Sequence, residues 1–356
     1  MKAFSSRTWG PAASRLGAAR TSSANDLVMR TLARHGLVPG STADLSSDPP
    51  PAGPVHDWMA GLRPTASGSG SATIPEGAQF LEGQFACEAG SRRYRAYIPA
   101  SAGTAETGMI VMLHGCTQTP EDFAAGTGMN DLAEEHCFIV IYPHQSRGEN
   151  AQSCWNWFRR GDQRRGRGEP AILAGLAQKL AAEHGVPGNR IFAAGLSAGG
   201  AMAAILGETY PDIFSGVAAH SGLAVGSAKD VPSAFAAMAG NGSVAAPASG
   251  TAPVRTIILH GTADSTVHPI NGEQIAQRAL ALAPRQTLQT EDRGETGGLA
   301  YVRKATLDAD GAPFVEEWKI EGLGHAWSGG SAKGSYTDER GPDASRAVVR
   351  FFFGEI

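Results

Sequence analysis

Arg190-Ile-Phe-Ala-Ala194, Gly195-Leu-Ser-Ala-Gly199 and Gly200-Ala-Met-Ala-Ala-Ile-Leu206 follow one another without a break. The first block is an apolar run of strand length, the last is small and apolar with helical character, and between them stands G-x-S-x-G. In that setting the serine occupies a sharp strand-to-helix turn, a nucleophile elbow. Side chains two residues to either side would collide with neighbouring backbone, hence the glycines. The turn lifts Ser197 above the sheet, and the helix N-terminus behind it favours developing negative charge. G-x-S-x-G also arises by chance in a glycine-rich chain, and a plain structural turn carries the same letters. The strand before it and the helix after it make Ser197 the candidate nucleophile.

Outward from the elbow, short β-rich runs alternate with longer helical stretches. Strands are predicted near 80–87, 92–98, 109–113, 138–142, 190–194, 215–219, 255–259 and 315–320. Helices are predicted near 121–135, 170–184, 199–209, 271–282 and 343–353. The central strands are apolar throughout rather than alternating, as parallel strands covered on both faces are. The pattern is an α/β domain with a mostly parallel sheet of about eight strands and an antiparallel hairpin, 80–98, at one edge.

A nucleophile on such a sheet needs an acid and a base, in the order Ser, acid, His. After the strand ending at Leu259 comes His260-Gly-Thr-Ala-Asp264-Ser-Thr-Val-His268. Asp264 leaves a central strand on a loop and is the candidate acid; Asp230 and Asp292 are rivals that follow no buried strand. A cap of its own loop is the competing reading of Asp264. His325, in Gly322-Leu-Gly-His-Ala-Trp-Ser-Gly-Gly330, lies between the last strand and the final helix and is the candidate base. His220, His260 and His268 compete with it, and any of these rings can also be a core histidine bonded to backbone. The oxyanion hole requires two backbone N–H groups. Ala198, after the nucleophile, supplies one; Cys116, in His114-Gly-Cys-Thr-Gln118 after the strand 109–113, supplies the other.

Composition narrows the class. The 356 residues include 46 glycines and 21 prolines, are 18% charged, and carry a formal net charge of −4. A charge-poor, slightly acidic chain is a poor partner for nucleic acid, which is bound by neutralising phosphates. No run approaches the ~18 apolar residues of a membrane-spanning helix. Met1 to Arg20 is basic but lacks the apolar core of a secretory signal. Asn25-Asp26 caps a short helical pattern ending at Gly36, and 40–77, with Pro-Pro-Pro and Gly-Ser-Gly-Ser, reads as linker. The expected organisation is therefore a leader over 1–78 and a catalytic domain over 79–356, and the chemistry calls for no cofactor or metal.

Leu113-His-Gly-Cys-Thr-Gln118, Ser153-Cys-Trp-Asn-Trp-Phe158, Gly195-Leu-Ser-Ala-Gly-Gly200 and Gly324-His-Ala-Trp-Ser-Gly-Gly330 resemble esterases of the poly(3-hydroxybutyrate) depolymerase family. The resemblance runs from about residue 80 onward. It implies an α/β-hydrolase fold and serine esterase chemistry on short hydroxyacyl esters or polyester oligomers, with feruloyl and acetylxylan esterases as bordering activities. A serine peptidase on the same fold is the rival from another reaction class. The resemblance favours a Cys116–Cys154 disulfide over two free thiols. It also implies an extracellular or periplasmic location, in tension with the missing signal, which leaves a cytoplasmic one open. Cys87 and Cys137 read as buried thiols. Trp155, Trp157 and Trp327 stand in motifs beside the site and are candidates for substrate contact, with core packing as the alternative. Arg159, Arg160, Arg164, Arg165 and Arg167 read as a solvated basic loop rather than an anion-binding one.

Overall fold

Strands β3 (Gly108–Leu113), β4 (Phe138–Pro143), β5 (Ile191–Leu196) and β6 (Gly216–His220) are buried at every residue. The computed structural model describes residues 74–102, 108–248, 250–283 and 288–354. All of these fall in the compact unit Leu62–Ile356. The helix expected before Gly36 and nearly all of the expected linker lie outside the described residues.

Among the described residues, ten strands form one sheet. β1 (Gln79–Cys87) and β2 (Gly90–Ile98) precede the buried four; β7 (Arg255–Gly261), β8 (Leu288–Thr296), β9 (Leu299–Leu307) and β10 (Pro313–Ile320) follow. Their order is β1-β2-β4-β3-β5-β6-β7-β10-β9-β8. The six from β4 to β10 run parallel, and both edges are antiparallel. The side-chain period of two gives each central strand two apolar faces. Val111 and Leu113 pack with helices α3 (Gly168–His184) and α4 (Ala198–Thr209), through Leu173, Leu176, Met202 and Ile205. Ile110 and Met112 face the opposite core, with α1 (Pro120–Thr127), α2 (Met129–His136) and α7 (Ala344–Phe353) contributing Phe123, Leu132, Val348 and Phe352. There the Phe192 and Phe352 rings stack 4.5 Å apart.

Three departures from the sequence expectation have local causes. The sheet gains β8 and β9, a hairpin closed by Gly297-Gly298 with φ of 58° and 79°, the positive values a tight two-residue turn needs. β8 is exposed along nearly its whole length, so hydrophobicity could not mark it. The helix expected over 121–135 is two, divided at Gly128, which adopts φ 61° and caps the first. A helix that was not among those expected, α5 (Val231–Met238), forms after β6, started by a reciprocal cap between Asp230 and Ser233. That cap occupies Asp230. α6 (Ile270–Leu282) completes the α-helices among the described residues.

Candidate active site

Parallel α/β sheets present their sites at the carboxyl ends of the strands, and the loops after β3, β5, β6, β7 and β10 meet there. Ser197, between β5 and α4, has φ 58° and ψ −119°, a backbone conformation that costs a non-glycine residue about 1–3 kcal/mol. Its N–H donates to His220 O at 2.8 Å, which locks the turn to the end of β6. The glycines are steric requirements: a Cβ on Gly199 would lie 1.9 Å from Leu113 O, and one on Gly195 would lie 2.4 Å from the Gly199 carbonyl carbon. The elbow is threaded against the end of β3.

Asp264 and His325 meet. His325 Nδ1 and Asp264 Oδ2 are 2.7 Å apart, so the ring donates there and keeps Nε2 as its acceptor. Asp264 Oδ1 accepts the N–H groups of Thr266 and Val267 at 2.9 and 2.8 Å. Burial raises the Asp264 carboxyl, but donors from His260, His325 and Val267 outweigh it and hold the group well below the usual carboxylate range. Asp292, the other rival acid, sits on exposed β8 and faces Arg303. Ser197 Oγ makes no hydrogen bond to the His325 ring among the described residues; such bonds commonly tighten only with substrate bound. His220 ties the two regions together. Its carbonyl takes the Ser197 amide, and its Nε2 accepts Ser328 N–H, three residues past His325, at 3.2 Å.

In the loop after β3, Gly115 N–H goes to Gln118 Oε1 (2.8 Å), Thr117 N–H to Gln152 O (2.8 Å) and Gln118 N–H to Gly115 O (3.4 Å). The amides of Cys116 and Ala198 have no hydrogen-bond partner among the described residues. Unpaired amides after two adjacent strands are the kind of donor that oxyanion stabilisation uses. Cys116 is joined by a disulfide to Cys154, while Trp155 Nε1 donates to His114 O at 3.0 Å and His114 Nε2 accepts Gln145 N–H at 3.1 Å. The segment after β4 is thus fastened to this loop at four points.

The family described as Esterase PHB depolymerase matches residues 92–288, more than half of the chain. The chain belongs to this family. Among curated relatives, poly(3-hydroxyalkanoate) depolymerase C of Paucimonas lemoignei is 33% identical over 254 residues, covering 68% of this chain and 60% of that protein. Poly(3-hydroxybutyrate) depolymerase of Ralstonia pickettii is 28% identical, covering 66% of this chain and 51% of that protein. The chain thus spans between half and three-fifths of these two depolymerases. A probable acetylxylan esterase A of Aspergillus flavus is 29% identical over 200 residues, 51% of this chain and 64% of that one. Among solved structures, the acetyl xylan esterase from Aspergillus awamori superposes with a TM-score of 0.58 at 18% identity, covering 78% of this chain and 99% of that chain. The fold of this PHB depolymerase family member is that of the α/β-hydrolases.

Several sequence expectations need correction. Trp155 and Trp327 are 0% and 1% exposed, and Trp157 is 6% exposed. Trp155 is held by His114 O; Trp327 donates to Ser345 Oγ at 3.0 Å and stacks on His220. Trp157 packs edge-on against Phe158. These indoles support the loops from behind rather than offering a surface to substrate. Cys87 is exposed and Cys137 half-buried, because β1 lies at the sheet edge and Cys137 caps α2 in a left-handed turn. The arginine run needs no such correction: Arg159, Arg160, Arg164 and Arg167 are exposed, as a solvated basic loop is, and Arg165 pairs with Asp212 and lies over the Tyr210 ring.

Sequence reasoning missed a buried polar hub on Glu169, at the start of α3. Its Oε1 accepts from Arg92 (3.1 Å), Gln145 (2.6 Å) and Asn156 (2.6 Å), and its Oε2 from the Asn156 amide (2.7 Å). It anchors both ends of the disulfide-bearing segment. Its four contributors are scattered from residue 92 to 169, so no local spacing announces them.

Burial pushes the His114 ring down to about 4 and the His220 ring down to about 3, from an ordinary 6.5. Both are neutral in the folded protein. Above pH 6.5 they are also neutral in the unfolded chain, and their contribution to stability is complete. As pH falls from 6.5 toward 4 and 3, the unfolded chain binds protons that the folded protein refuses. Each ring then withdraws about 1.4 kcal/mol per pH unit. Asp264, depressed below 3.8, acts in the same direction only at lower pH. Melting temperature should therefore fall progressively between pH 6.5 and 4, and the slope should shrink in His114→Gln. A flat profile over that range would contradict the neutral assignment.

Proposed function

We propose that this protein is a serine carboxylic-ester hydrolase whose catalytic domain spans residues 79–356. The reading is carried by the strained elbow at Ser197 together with the His325–Asp264 bond. His325 Nε2 takes the Ser197 proton as Oγ attacks the ester carbonyl, and Asp264 steadies the imidazolium. The amides of Cys116 and Ala198 hold the oxyanion. His325 returns the proton to the departing alcohol, and water, activated by the same ring, releases the acid from the acyl-enzyme.

The substrates we propose are short hydroxyacyl esters and polyester oligomers, in keeping with the names of the depolymerase relatives. Acetyl esters of xylan are the second reading, supported by the acetylxylan esterases among the relatives and solved structures. The disulfide supports an oxidising, extracellular or periplasmic compartment. No described helix is long and apolar enough to cross a membrane.

A hydrolysis panel tests this: p-nitrophenyl butyrate, 3-hydroxybutyrate oligomers, acetylated xylan, methyl ferulate and a peptide amide. Turnover of butyrate ester and oligomers, with oligomers preferred over xylan, is expected. Preference for acetylated xylan would select the second reading, and no ester turnover would sink both.

A further inference from the structure

Asp264 has one more imidazole beside it than a triad requires. Its Oδ2 faces His325 Nδ1 at 2.7 Å and also His260 Nε2 at 3.5 Å. We propose that His260 is a positioning residue for this site, fixing the Asp264 carboxylate by donating its Nε2–H between Val267 O and Asp264 Oδ2. The proposal rests on the hydrolase reading of Ser197, His325 and Asp264.

The bonding leaves His260 one useful protonation form. Nε2 lies 2.9 Å from Val267 O, so both of its neighbours are acceptors and the proton must sit there. Nδ1 is buried with no partner among the described residues. It abuts Gly272 at the start of α6, where a Cβ would come within 2.8 Å of it. A ring with two acceptors in front and unbonded packing behind is an imidazole that donates from Nε2 and is held in one orientation.

That ring closes a loop of contacts around the acid. Val267 gives its N–H to Asp264 Oδ1 and its carbonyl to His260. The Val267 side chain is fully buried. Oδ1 is consumed by two backbone donors, so the carboxylate can turn only about Oδ2, where His260 and His325 flank it. His260 sits on β7 and Asp264 on the loop that leaves it, so a rigid strand sets where the acid points. Without the His260 donor the Val267 carbonyl loses its partner and the 264–268 turn its anchor. His325 would then be presented to Ser197 in a poorer orientation, a displacement to which catalysis is steeply sensitive.

Among the described residues, the neighbouring charged and titratable side chains are engaged elsewhere. His220, at the end of β6, uses its ring on Ser328 and Ser221. From β10, Lys319 is paired in register with His260, but its ammonium is bonded to Glu273 of α6. Glu317, also from β10, is an acid held above its usual range by burial.

The experiment compares His260→Leu and His260→Gln with the wild-type protein on p-nitrophenyl butyrate, and reads the His260 tautomer in the wild type by ¹⁵N NMR. Nε2–H is expected. In His260→Leu kcat should fall about 10- to 100-fold with KM nearly unchanged. The acid limb of its kcat/KM–pH profile should move, because the His325 imidazolium loses an ordered counter-charge. His260→Gln, whose amide can donate from the same place, should recover most of the rate. An Nδ1–H tautomer would overturn the proposal even if no variant folds. So would a folded Leu variant with the wild-type rate and profile, or a Gln variant as impaired as Leu. Turnover that survives Ser197→Ala is a different result: it removes the hydrolase site itself and leaves nothing for His260 to position.

Discussion

Ser197→Ala is expected to abolish ester hydrolysis, lowering kcat by about 10⁴-fold or more, while the protein stays folded. Only Oγ is removed. Alanine takes the same backbone as serine with no larger Cβ, and the 2.8 Å bond from the residue 197 amide to His220 O does not involve the side chain. Ser197→Gly sharpens the test. Serine at φ 58°, ψ −119° is held in a conformation that glycine adopts freely. The glycine variant should therefore be equally inactive yet more stable than Ser197→Ala. Relief of strain, about 1–3 kcal/mol, is set against the greater freedom of glycine in the unfolded chain, about 0.4–1 kcal/mol. Inactivity with higher melting temperature is what strain stored for function looks like. Substantial turnover by either variant would remove Ser197 from the mechanism.

Ser197 and Asp264 stood out as candidates in the sequence because each follows a strand marked by an apolar run, and His325 because it follows the mixed run Pro313–Ile320 and precedes the final helix. The chemistry then demanded particular residue types at those exits. The same logic singled out the Cys116 and Ala198 amides, which have no partner among the described residues. What the sequence hid follows from the same physics. β8 has almost no buried face, so it carries no apolar signature, although Gly297-Gly298 between the polar run 288–296 and the β-prone run 299–307 was a hairpin signal available to be read. The three tryptophans drew attention as flat apolar surface. Yet an indole with a buried acceptor for its N–H, such as His114 O for Trp155, is equally content inside a loop. Histidines were the hardest to sort. His114, His220 and His260 all stand where strands end, as a catalytic base might. His114 and His220 spend both ring nitrogens on hydrogen bonds, and His260 has its second sealed against Gly272. His325 instead keeps a nitrogen unbonded among the described residues, on a side chain that stays partly exposed.

Removing the disulfide, by reduction or in the double variant Cys116→Ser with Cys154→Ser, should impair both stability and turnover. The residues lie 38 apart in sequence. A cross-link of that span restricts the unfolded chain by about 4 kcal/mol in the loop-entropy account, and measured losses run about 2–4 kcal/mol. The effect on activity is set by how much else holds Cys116. Thr117 N–H to Gln152 O, Trp155 Nε1 to His114 O and Gln145 N–H to His114 Nε2 all survive, and Glu169 still anchors Gln145 and Asn156. The loop should therefore keep its course while the Cys116 amide loses its fixed aim. Complete loss of one oxyanion donor costs about 10²–10³ in kcat; a donor that is loosened rather than lost should cost less, about 10-fold. KM should change little, because the oxyanion exists only at the transition state and not in the bound ester. A fall in melting temperature with unchanged kcat would make the bond purely structural and move the second oxyanion donor away from Cys116. A kcat loss reversed by reoxidation would tie the donor's aim to the cross-link.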